Sequence, residues 1–242
     1  MIQGLVEMVN EQTGRPDGQY HLMDNFFNTT RYFAFSGAGA EKIIAGMMSQ
    51  RAQTTDQFVI EDVTNKLFKE EGARFGSDLV ARNIQRGRDH GLPSYNAFRL
   101  LCNQSEICSW SDRPSNIPAA QWANLQAIYN SPNDIDLFTG GLAETLEGNG
   151  LTGKTFQCLM EKQFKALMDG DRHFFTHKNV LFKWSGRQVQ NIKTRTLAQI
   201  ICDNTRISNV RSNVFLATSS SVPCPPTSTL DLDLFKPRST FF

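Results

Sequence analysis

A cluster of polar and basic residues near the middle of the chain is the first candidate for chemistry. The string NIQRGRDH at 83–90 brings together an amide, two guanidiniums, a carboxylate and an imidazole. The spacing predicts a helix over 79–87. On such a helix Leu79, Asn83 and Arg86 share one face, because residues about four and seven positions apart lie above one another. An apolar group, an amide and a guanidinium would then face a common object.

Three interpretations of this cluster are open. In the first, Arg86, Arg88 and Asp89 pair with one another in a buried network at a helix junction. In the second, the arginines bind a phosphate or carboxylate through paired hydrogen bonds. In the third, the cluster surrounds a metal or cofactor, with Asn83 hydrogen-bonding a ligand imidazole and Arg86 binding an acidic edge. The pattern alone favours the first, because structural ion pairs are common. A single histidine such as His90 is most often structural.

The other polar clusters are weaker candidates. His173 and His177 are four residues apart, a spacing that can bind zinc, but no HExxH frame surrounds them and the intervening phenylalanines indicate packing. The segment 169–172 has two carboxylates, yet Gly-Asp segments are usually turns. Neither a GxSxG nucleophile motif nor a GxxxxGK[ST] phosphate-binding loop occurs.

The overall composition argues against several classes of partner. The 242 residues carry 25 Lys and Arg against 24 Asp and Glu, a net charge of +1, so neither nucleic acid nor an anionic membrane is expected as a partner. A hydrophobic fraction of 40% and 18 Phe predict a globular protein with a substantial core. No apolar run is long enough to cross a bilayer, and the first residues do not form a signal peptide.

Helical periodicity predominates along the chain, and alternating patterns are scarce, which predicts a mainly α fold. Pro93 is expected in the first turn of the helix that follows the polar cluster. Gly170 is a suitable end for a helix that begins near Phe156. Further helices are predicted from apolar spacing at 2–9, 37–48, 60–68, 156–167 and 192–201. The Pro- and Ser-rich stretch that begins at 219 predicts an irregular tail over about 219–242, and no domain linker interrupts the chain.

The cysteines leave the cellular compartment open. No CxxC occurs, so neither a zinc knuckle nor a thioredoxin-type site is indicated. Five cysteines fit either an oxidising compartment with one thiol left over, or buried thiols. Two Asn-x-Ser/Thr sequons begin at Asn28 and Asn103, but such short motifs are frequent by chance. The five cysteines are Cys102, Cys108, Cys158, Cys202 and Cys224.

Several ordered motifs resemble those of the animal haem peroxidases. The signature of that family is similar to Asp78-Leu79, to NIQRGRDHGLP at 83–93 and to the YNAFR string at 95–99. Three further blocks follow in the expected order: PNDIDLFTGG at 132–141, QFKALMDGDR at 163–172 and IICDNT at 200–205. The resemblance covers nearly the whole chain. It implies that 1–242 is the C-terminal part of one mainly α, animal haem peroxidase-type domain.

The resemblance also implies roles for single residues. Asn83 is expected to accept a hydrogen bond from the non-ligating nitrogen of an axial histidine, which strengthens the imidazole as an iron ligand. Arg86 is expected to pair with a haem propionate, and Leu79 to pack near the porphyrin. His90 is implied to be structural, in a network with the two residues before it, and not an iron ligand.

The resemblance further implies two disulfides, Cys102–Cys158 and Cys202–Cys224, with Cys108 left over. Each could stabilise the fold by about 3–4 kcal/mol through loop closure. Two disulfides favour a secreted, extracellular parent protein.

The implied activity is the hydrogen-peroxide-dependent oxidation of an organic or halide donor at a haem iron. The distal histidine and arginine, which would move the peroxide proton and stabilise charge, are expected in preceding sequence, together with a calcium loop. Ile2-Gln3 match the end of the string that carries the axial histidine, so that ligand is expected just upstream of Met1. No catalytic residue or metal ligand is expected in this chain, whose partner would be the missing N-terminal part. The alternative is a non-catalytic secreted remnant used in adhesion or matrix contact.

Overall fold

The structure, a computed structural model, describes residues 4–178, 183–225 and 231–236. Helices predominate in these ranges, where strands form only two short antiparallel pairs. The mainly α prediction is therefore confirmed. In chain order the elements are β1 (Leu5–Val9), β2 (Pro16–His21), α1 (Thr30–Phe33), α2 (Gly39–Ser49), α3 (Glu61–Thr64), α4 (Leu79–Asp89), α5 (Tyr95–Leu101), α6 (Ala119–Ile128), α7 (Leu137–Ala143), α8 (Lys154–Gly170), α9 (Gly186–Lys193), α10 (Leu197–Asn204), β3 (Asn209–Arg211) and β4 (Ser221–Pro223).

The chain divides into two compact units. The first comprises Met1–Gly4 and Ala52–Met168, and the second comprises Leu5–Arg51 and Asp169–Phe242. The polar cluster of 83–90 and the blocks at 95–99 and 132–141 all belong to the first unit. That unit therefore contains every residue to which the sequence assigned a cofactor role.

The core of the first unit is formed by α5, α6, α7 and the loops between them. Tyr95 is fully buried there, among apolar residues that include Trp122 and Ile135. Two consecutive glycines of α7 allow aromatic rings to pack directly on its backbone. A Cβ atom added at Gly140 would lie 2.3 Å from the ring of Tyr95, and one at Gly141 would lie 2.3 Å from the ring of Phe156.

The structure contains both disulfides that the resemblance implied. Cys102–Cys158 joins the end of α5 to α8, with the Cα atoms 5.9 Å apart. Cys202–Cys224 joins α10 to the residue after β4, with the Cα atoms 5.4 Å apart. Cys108 is a free, exposed thiol. Each unit thus has its own covalent cross-link, apart from its apolar core.

The second unit is built on a hairpin, one longer helix and the C-terminal elements. β1 pairs antiparallel with β2, with Leu5 opposite His21, and α2 packs against β1. β3 pairs antiparallel with β4. The core contains Val9 of β1, Ala45 of α2 and Ala198 of α10, with Ile207 and Val210 beside them.

The predictions for α2, α4 and α8 are confirmed, including the end of α8 at Gly170. The helix predicted at 2–9 is wrong over the described residues, because Leu5–Val9 is a strand. The apolar spacing there fits both structures, and pairing with β2 satisfies the backbone groups of the strand. The first three residues lie outside the described part of the chain.

Three other helix boundaries differ from the prediction. Only Glu61–Thr64 of the segment 60–68 is helical, because Leu67 turns away to bridge Ser77. The segment 192–201 holds two helices, separated by the N-cap Thr196. Pro93 precedes the helix rather than starting it. The side chain of Ser94 caps α5 by accepting a hydrogen bond from the Ala97 N–H.

The predicted irregular tail is described at 219–225 and 231–236. These residues include β4 and a short 3-10 helix at Leu232–Phe235. The rest of the tail lies outside the described residues. Among the helices that are described, none combines the length and the apolar character that crossing a membrane requires.

Candidate functional site

Helix α4 carries the polar cluster, and local signals fix both of its ends. At its start the Asp78 carboxylate accepts a hydrogen bond of 3.0 Å from the Ala81 N–H. At its end Gly91 adopts a positive φ of 65°, and the Leu92 N–H donates back to the Gly87 carbonyl. This is a Schellman-type stop, for which glycine is the preferred residue. The predicted face of α4 therefore has a defined length and orientation.

One face of α4 lines a cleft of about 470 Å³. Asn83 and Arg86 both lie on this wall. Leu137 and Phe138 of α7 and Phe156 of α8 also line the cleft. The lining is mostly apolar with a few polar groups, which is the usual character of a small-molecule or cofactor site. The 132–141 block thus contributes to the same cleft as the 83–90 cluster, a contact that no motif in the sequence predicts.

Two polar side chains on the α4 wall, those of Asn83 and Arg86, have no polar partner among the residues that the structure describes. Asn83 is half-buried and Arg86 is exposed. Within residues 4–178, 183–225 and 231–236 neither side chain makes a hydrogen bond or an ion pair. An amide and a guanidinium are therefore free to bind a ligand. Leu79 is half-buried one turn before Asn83, and it is not among the residues that line the cleft.

Arg88, on the same helix, is fully engaged elsewhere. Its Nε and Nη2 donate to the two carboxylate oxygens of Asp136 at 2.9 and 2.6 Å, and the Tyr129 hydroxyl donates to the same carboxylate at 2.8 Å. The Arg88 guanidinium holds the pKa of Asp136 below its usual value, against the opposing effect of burial. Because Asp136 directly precedes α7, this bidentate pair ties α4 to the other wall of the cleft.

Neither the expected network of Arg86, Arg88 and Asp89 nor that of Arg88, Asp89 and His90 occurs in the described part of the chain. The partner of Arg88 lies 48 residues away in sequence. Asp89 and His90 are exposed, and no hydrogen bond or ion pair of their side chains occurs in the described part of the chain. His90 lies at the edge of the cleft. The charged residues at 86–90 lie close together because they form the end of α4. Their side chains are exposed, and among the described residues Arg88 is the one that has a strong partner.

A second polar network lies inside the first unit, on α5 and its neighbours. The Tyr95 hydroxyl donates to Glu144 Oε1 at 2.6 Å, and the Thr155 N–H and hydroxyl donate to the same carboxylate at 2.9 and 2.6 Å. Arg99 donates to the Tyr95 hydroxyl at 3.3 Å and lies 4.0 Å from Glu144. All four residues are buried. Burial and the neighbouring carboxylate raise the pKa of the Tyr95 hydroxyl, so it stays a donor.

The sequence included Tyr95 and Arg99 in a motif but did not assign them a structural role. It also gave no signal for Glu144, whose LAETLEG surroundings match no motif. A buried tyrosine–arginine pair in a helix does require an acidic partner, which is the one hint that could have been used.

The histidines near the end of α8 have a hydrogen-bond contact and a packing contact. His173 Nε2 accepts a hydrogen bond of 3.0 Å from Arg172, and the His177 ring lies 5.8 Å from Phe174. No group of three or more potential metal ligands occurs among the residues that could be searched, which are those described.

The comparisons with known proteins agree with the motifs on both walls of the cleft. Residues 1–215 match the family model described as animal haem peroxidase. The chain belongs to the animal haem peroxidase family. It is 35% identical to mouse myeloperoxidase over 226 residues, which is 90% of this chain and 30% of that protein. It is 36% identical to peroxidase-like protein 3 of Lottia gigantea, over 84% of this chain and 65% of that protein.

Solved structures support the same haem peroxidase fold. Peroxidase A from Dictyostelium discoideum matches with a TM-score of 0.71 and 30% identity, over 88% of this chain and 39% of that one. The fatty acid alpha-dioxygenase of Oryza sativa matches with a TM-score of 0.55 and 19% identity, which shows a shared fold alone. The chain spans less than two thirds of the length of each of these relatives.

Proposed function

We propose that this chain forms the proximal side of a haem site in a peroxidase that uses hydrogen peroxide to oxidise an organic or halide donor. The observation that carries the proposal is that Asn83 and Arg86, which have no polar partner among the described residues, lie together on a mostly apolar cleft of an animal haem peroxidase. An apolar cleft with a few convergent polar groups is the usual form of a cofactor site, which supports a ligand at this place.

The residues of the cleft fit haem, which is a flat apolar macrocycle with two carboxylates. A volume of about 470 Å³ is within the range of cofactor sites. Ile84 and Phe138 offer apolar surface to the macrocycle, and the Arg86 guanidinium matches a propionate carboxylate in shape and charge. Leu79 is proposed to pack near the porphyrin, one turn before Asn83. Bound haem supplies the redox chemistry of peroxide oxidation.

Asn83 is proposed to act on the imidazole that coordinates the iron. Its amide oxygen would accept the N–H of the non-ligating imidazole nitrogen, which fixes the tautomer of the ring and makes it a stronger donor. From the family resemblance we propose that this histidine, the distal acid–base residues and a calcium loop are supplied from outside residues 1–242. We therefore propose that this chain binds haem but does not by itself sustain turnover, and that its partner is the remaining part of the same domain.

The proposed location is extracellular. Cys102–Cys158 and Cys202–Cys224 support it, because disulfides persist in oxidising compartments and are rare in the cytosol.

The Asn83 role can be tested by supplying the ligand imidazole in solution. The purified chain is saturated with haemin and titrated with imidazole, while the Soret band is recorded for wild type and Asn83→Ala. Loss of one hydrogen bond should weaken imidazole binding about three- to tenfold in the variant. The matched control is 1-methylimidazole, which has no N–H to donate. With this ligand wild type and Asn83→Ala should bind equally.

Three results would contradict parts of the proposal. If haemin gives no Soret shift with the wild-type chain, the cofactor site is wrong and the non-catalytic matrix remnant becomes the better hypothesis. If Asn83→Ala weakens both imidazoles equally, Asn83 acts through packing and not as an acceptor. If the chain with haemin oxidises guaiacol with peroxide far faster than haemin alone, the distal residues are not needed from outside. A His90→Ala variant checks that His90 does not coordinate the iron.

A further inference from the structure

We propose that Asn103 carries an N-linked glycan in the secreted protein. The tripeptide Asn103-Gln104-Ser105 has the acceptor pattern Asn-x-Ser/Thr. The pattern alone carries little weight, since it is frequent by chance. The structure adds two observations. The tripeptide lies in the turn after α5, and its outer two side chains are exposed while the middle one is turned inward.

The backbone of this turn needs nothing from the Asn103 side chain. Asn103 has a positive φ of 55°, a conformation that asparagine tolerates better than most residues. Its N–H donates to the Leu100 carbonyl at 3.0 Å, and the Gln104 N–H donates to the Arg99 carbonyl at 2.9 Å. These two bonds end α5 in a Schellman motif. The positive φ accounts for either glycine or asparagine at this position, and neither of these two backbone hydrogen bonds uses the side-chain amide of Asn103.

The two residues that the glycosylation reaction uses are the exposed ones. Asn103 and Ser105 are both exposed, and in the part of the chain that the structure describes neither side chain has a hydrogen-bond partner. Gln104 between them is turned inward. Its Nε2 donates to Thr155 Oγ1 at 2.7 Å, and its Oε1 accepts from Arg99 at 3.3 Å. The middle residue therefore fixes the turn on the buried network, while the acceptor amide and the hydroxyl face solvent.

The other sequon has an exposed asparagine whose side-chain amide is already hydrogen-bonded. The Asn28 Oδ1 accepts a hydrogen bond of 3.1 Å from the Thr30 N–H, and its Nδ2 donates to Asn25 Oδ1 at 3.4 Å. Both polar atoms of that side chain are thus used at the start of α1. Within the described residues a glycan on Asn103 disturbs no hydrogen bond, whereas one on Asn28 attaches to an Nδ2 that already donates to Asn25 Oδ1.

The modification is a glycosyl transfer from a lipid-diphosphate-linked oligosaccharide. A bond forms between Asn103 Nδ2 and C1 of the first sugar, the bond from C1 to the diphosphate oxygen breaks, and Nδ2 loses one proton while the lipid diphosphate leaves. The donor is found in the secretory pathway, so this proposal rests on the extracellular location proposed above.

The test expresses the chain behind a cleavable secretion signal in a eukaryotic host. Total protein from cells and medium is treated with peptide-N-glycosidase in ¹⁸O-labelled water, which converts a glycosylated asparagine to labelled aspartate. The peptide that contains Asn103 should carry the label, and the gel mobility of the chain should increase after treatment. Measuring cells and medium together includes any chain that is retained inside.

Variants at the tripeptide separate glycosylation from folding. Ser105→Ala and Asn103→Gly should both abolish the label at position 103, and Asn103→Gly keeps the positive-φ turn. Ser105→Thr should retain it. Recovery of Asn103 as unlabelled asparagine in the wild type would overturn the proposal. The haemin titration uses unglycosylated chain from bacteria, so failure of the haem proposal and failure of this one give separate results.

Discussion

The same pair of residues occurs on two successive helices with opposite outcomes. Asn83 and Arg86 on α4 are separated by three positions, as are Asn96 and Arg99 on α5. On α5 both side chains are buried and hydrogen-bonded. On α4 they line a cleft, and within the described ranges they contact no polar partner. Residue type and spacing therefore do not distinguish a structural pair from a ligand-binding pair. The partners that the rest of the fold brings within reach make that distinction.

On α5 the side chains of Asn96 and Arg99 both make hydrogen bonds that stabilise the fold. Asn96 exchanges hydrogen bonds with the backbone of Ile107, donating to its carbonyl at 3.0 Å and accepting from its N–H at 2.9 Å, and it also donates to Asn133. Because buried polar groups are costly when unpaired, changes in this pair should affect stability. Changes in the α4 pair should affect ligand binding and leave stability almost unchanged.

The largest expected effect is that of Arg99→Ala. Removing this guanidinium leaves the buried Glu144 carboxylate without its charge partner, which should lower the free energy of unfolding by about 3–5 kcal/mol. Urea denaturation followed by circular dichroism measures the change. The matched control Arg86→Ala should shift stability by no more than about 0.5 kcal/mol. If Arg99→Ala and Arg86→Ala lost equal amounts of stability, the arginines of α4 and α5 would not differ in their contribution to the fold.

The second effect is that of Asn96→Ala. The Ile107 N–H and carbonyl both lose a buried partner, so the expected loss is about 2–3 kcal/mol. The control is Asn83→Ala, which should leave stability unchanged or raise it by up to about 0.5 kcal/mol, because alanine is the better helix former. A clear destabilisation by Asn83→Ala would mean that its amide already has a structural role.

The third effect concerns the Arg88–Asp136 pair that links α4 to α7. Asp136→Asn should destabilise the protein by about 1–2 kcal/mol at pH 7. The pKa of Asp136 is lowered in the folded state, mainly by Arg88, so the carboxylate stabilises the fold above its unfolded pKa of about 3.9. That contribution is lost as the pH falls through the lower folded value. The difference in stability between wild type and variant should therefore begin to shrink as the pH falls below about 4 and should vanish below the folded pKa of Asp136, and a constant difference would contradict the assignment.

The smallest effect is expected for Arg86→Gln in haemin binding. An exposed guanidinium paired with a propionate contributes little, so affinity should fall about two- to fivefold while stability stays the same. Haemin dimethyl ester, which has no free carboxylates, is the control ligand, and its binding should not depend on residue 86. Fluorescence quenching of the tryptophans measures both affinities. An equal loss for the ester would indicate that Arg86 contributes only its apolar stem.

Helical spacing was sufficient to predict α4 and the shared side of Asn83 and Arg86. Leu79 was expected on the same face but does not line the cleft, and the Asp78 cap and the Gly91 stop were not predicted. The partner of Arg88 could not be predicted in this way, because Asp136 lies 48 residues further along. The same limit applies to Phe138, which reaches the cleft only through the packing of α7.

The errors in secondary structure have a similar cause. Leu5–Val9 is a short apolar run, and such runs fit a helix or a strand until the pairing partner is known. That partner is β2, which follows a turn in which the Asn10 side chain accepts a hydrogen bond of 2.8 Å from the Thr13 N–H. Leu67 likewise leaves its predicted helix to bridge Ser77. In both places the secondary structure depends on pairing with a residue outside the short segment from which the helix was predicted.

The close approach of the Tyr95 ring to Gly140 constrains how this sequence can evolve. Any side chain at position 140 would overlap the ring, since even a Cβ atom would lie 2.3 Å from it. A descendant that acquires alanine there must therefore also exchange the tyrosine for a smaller residue. That exchange removes the phenol from the Glu144 carboxylate, so a third position must change as well. Divergence at position 140 is therefore coupled to positions 95 and 144 through one ring and one hydroxyl.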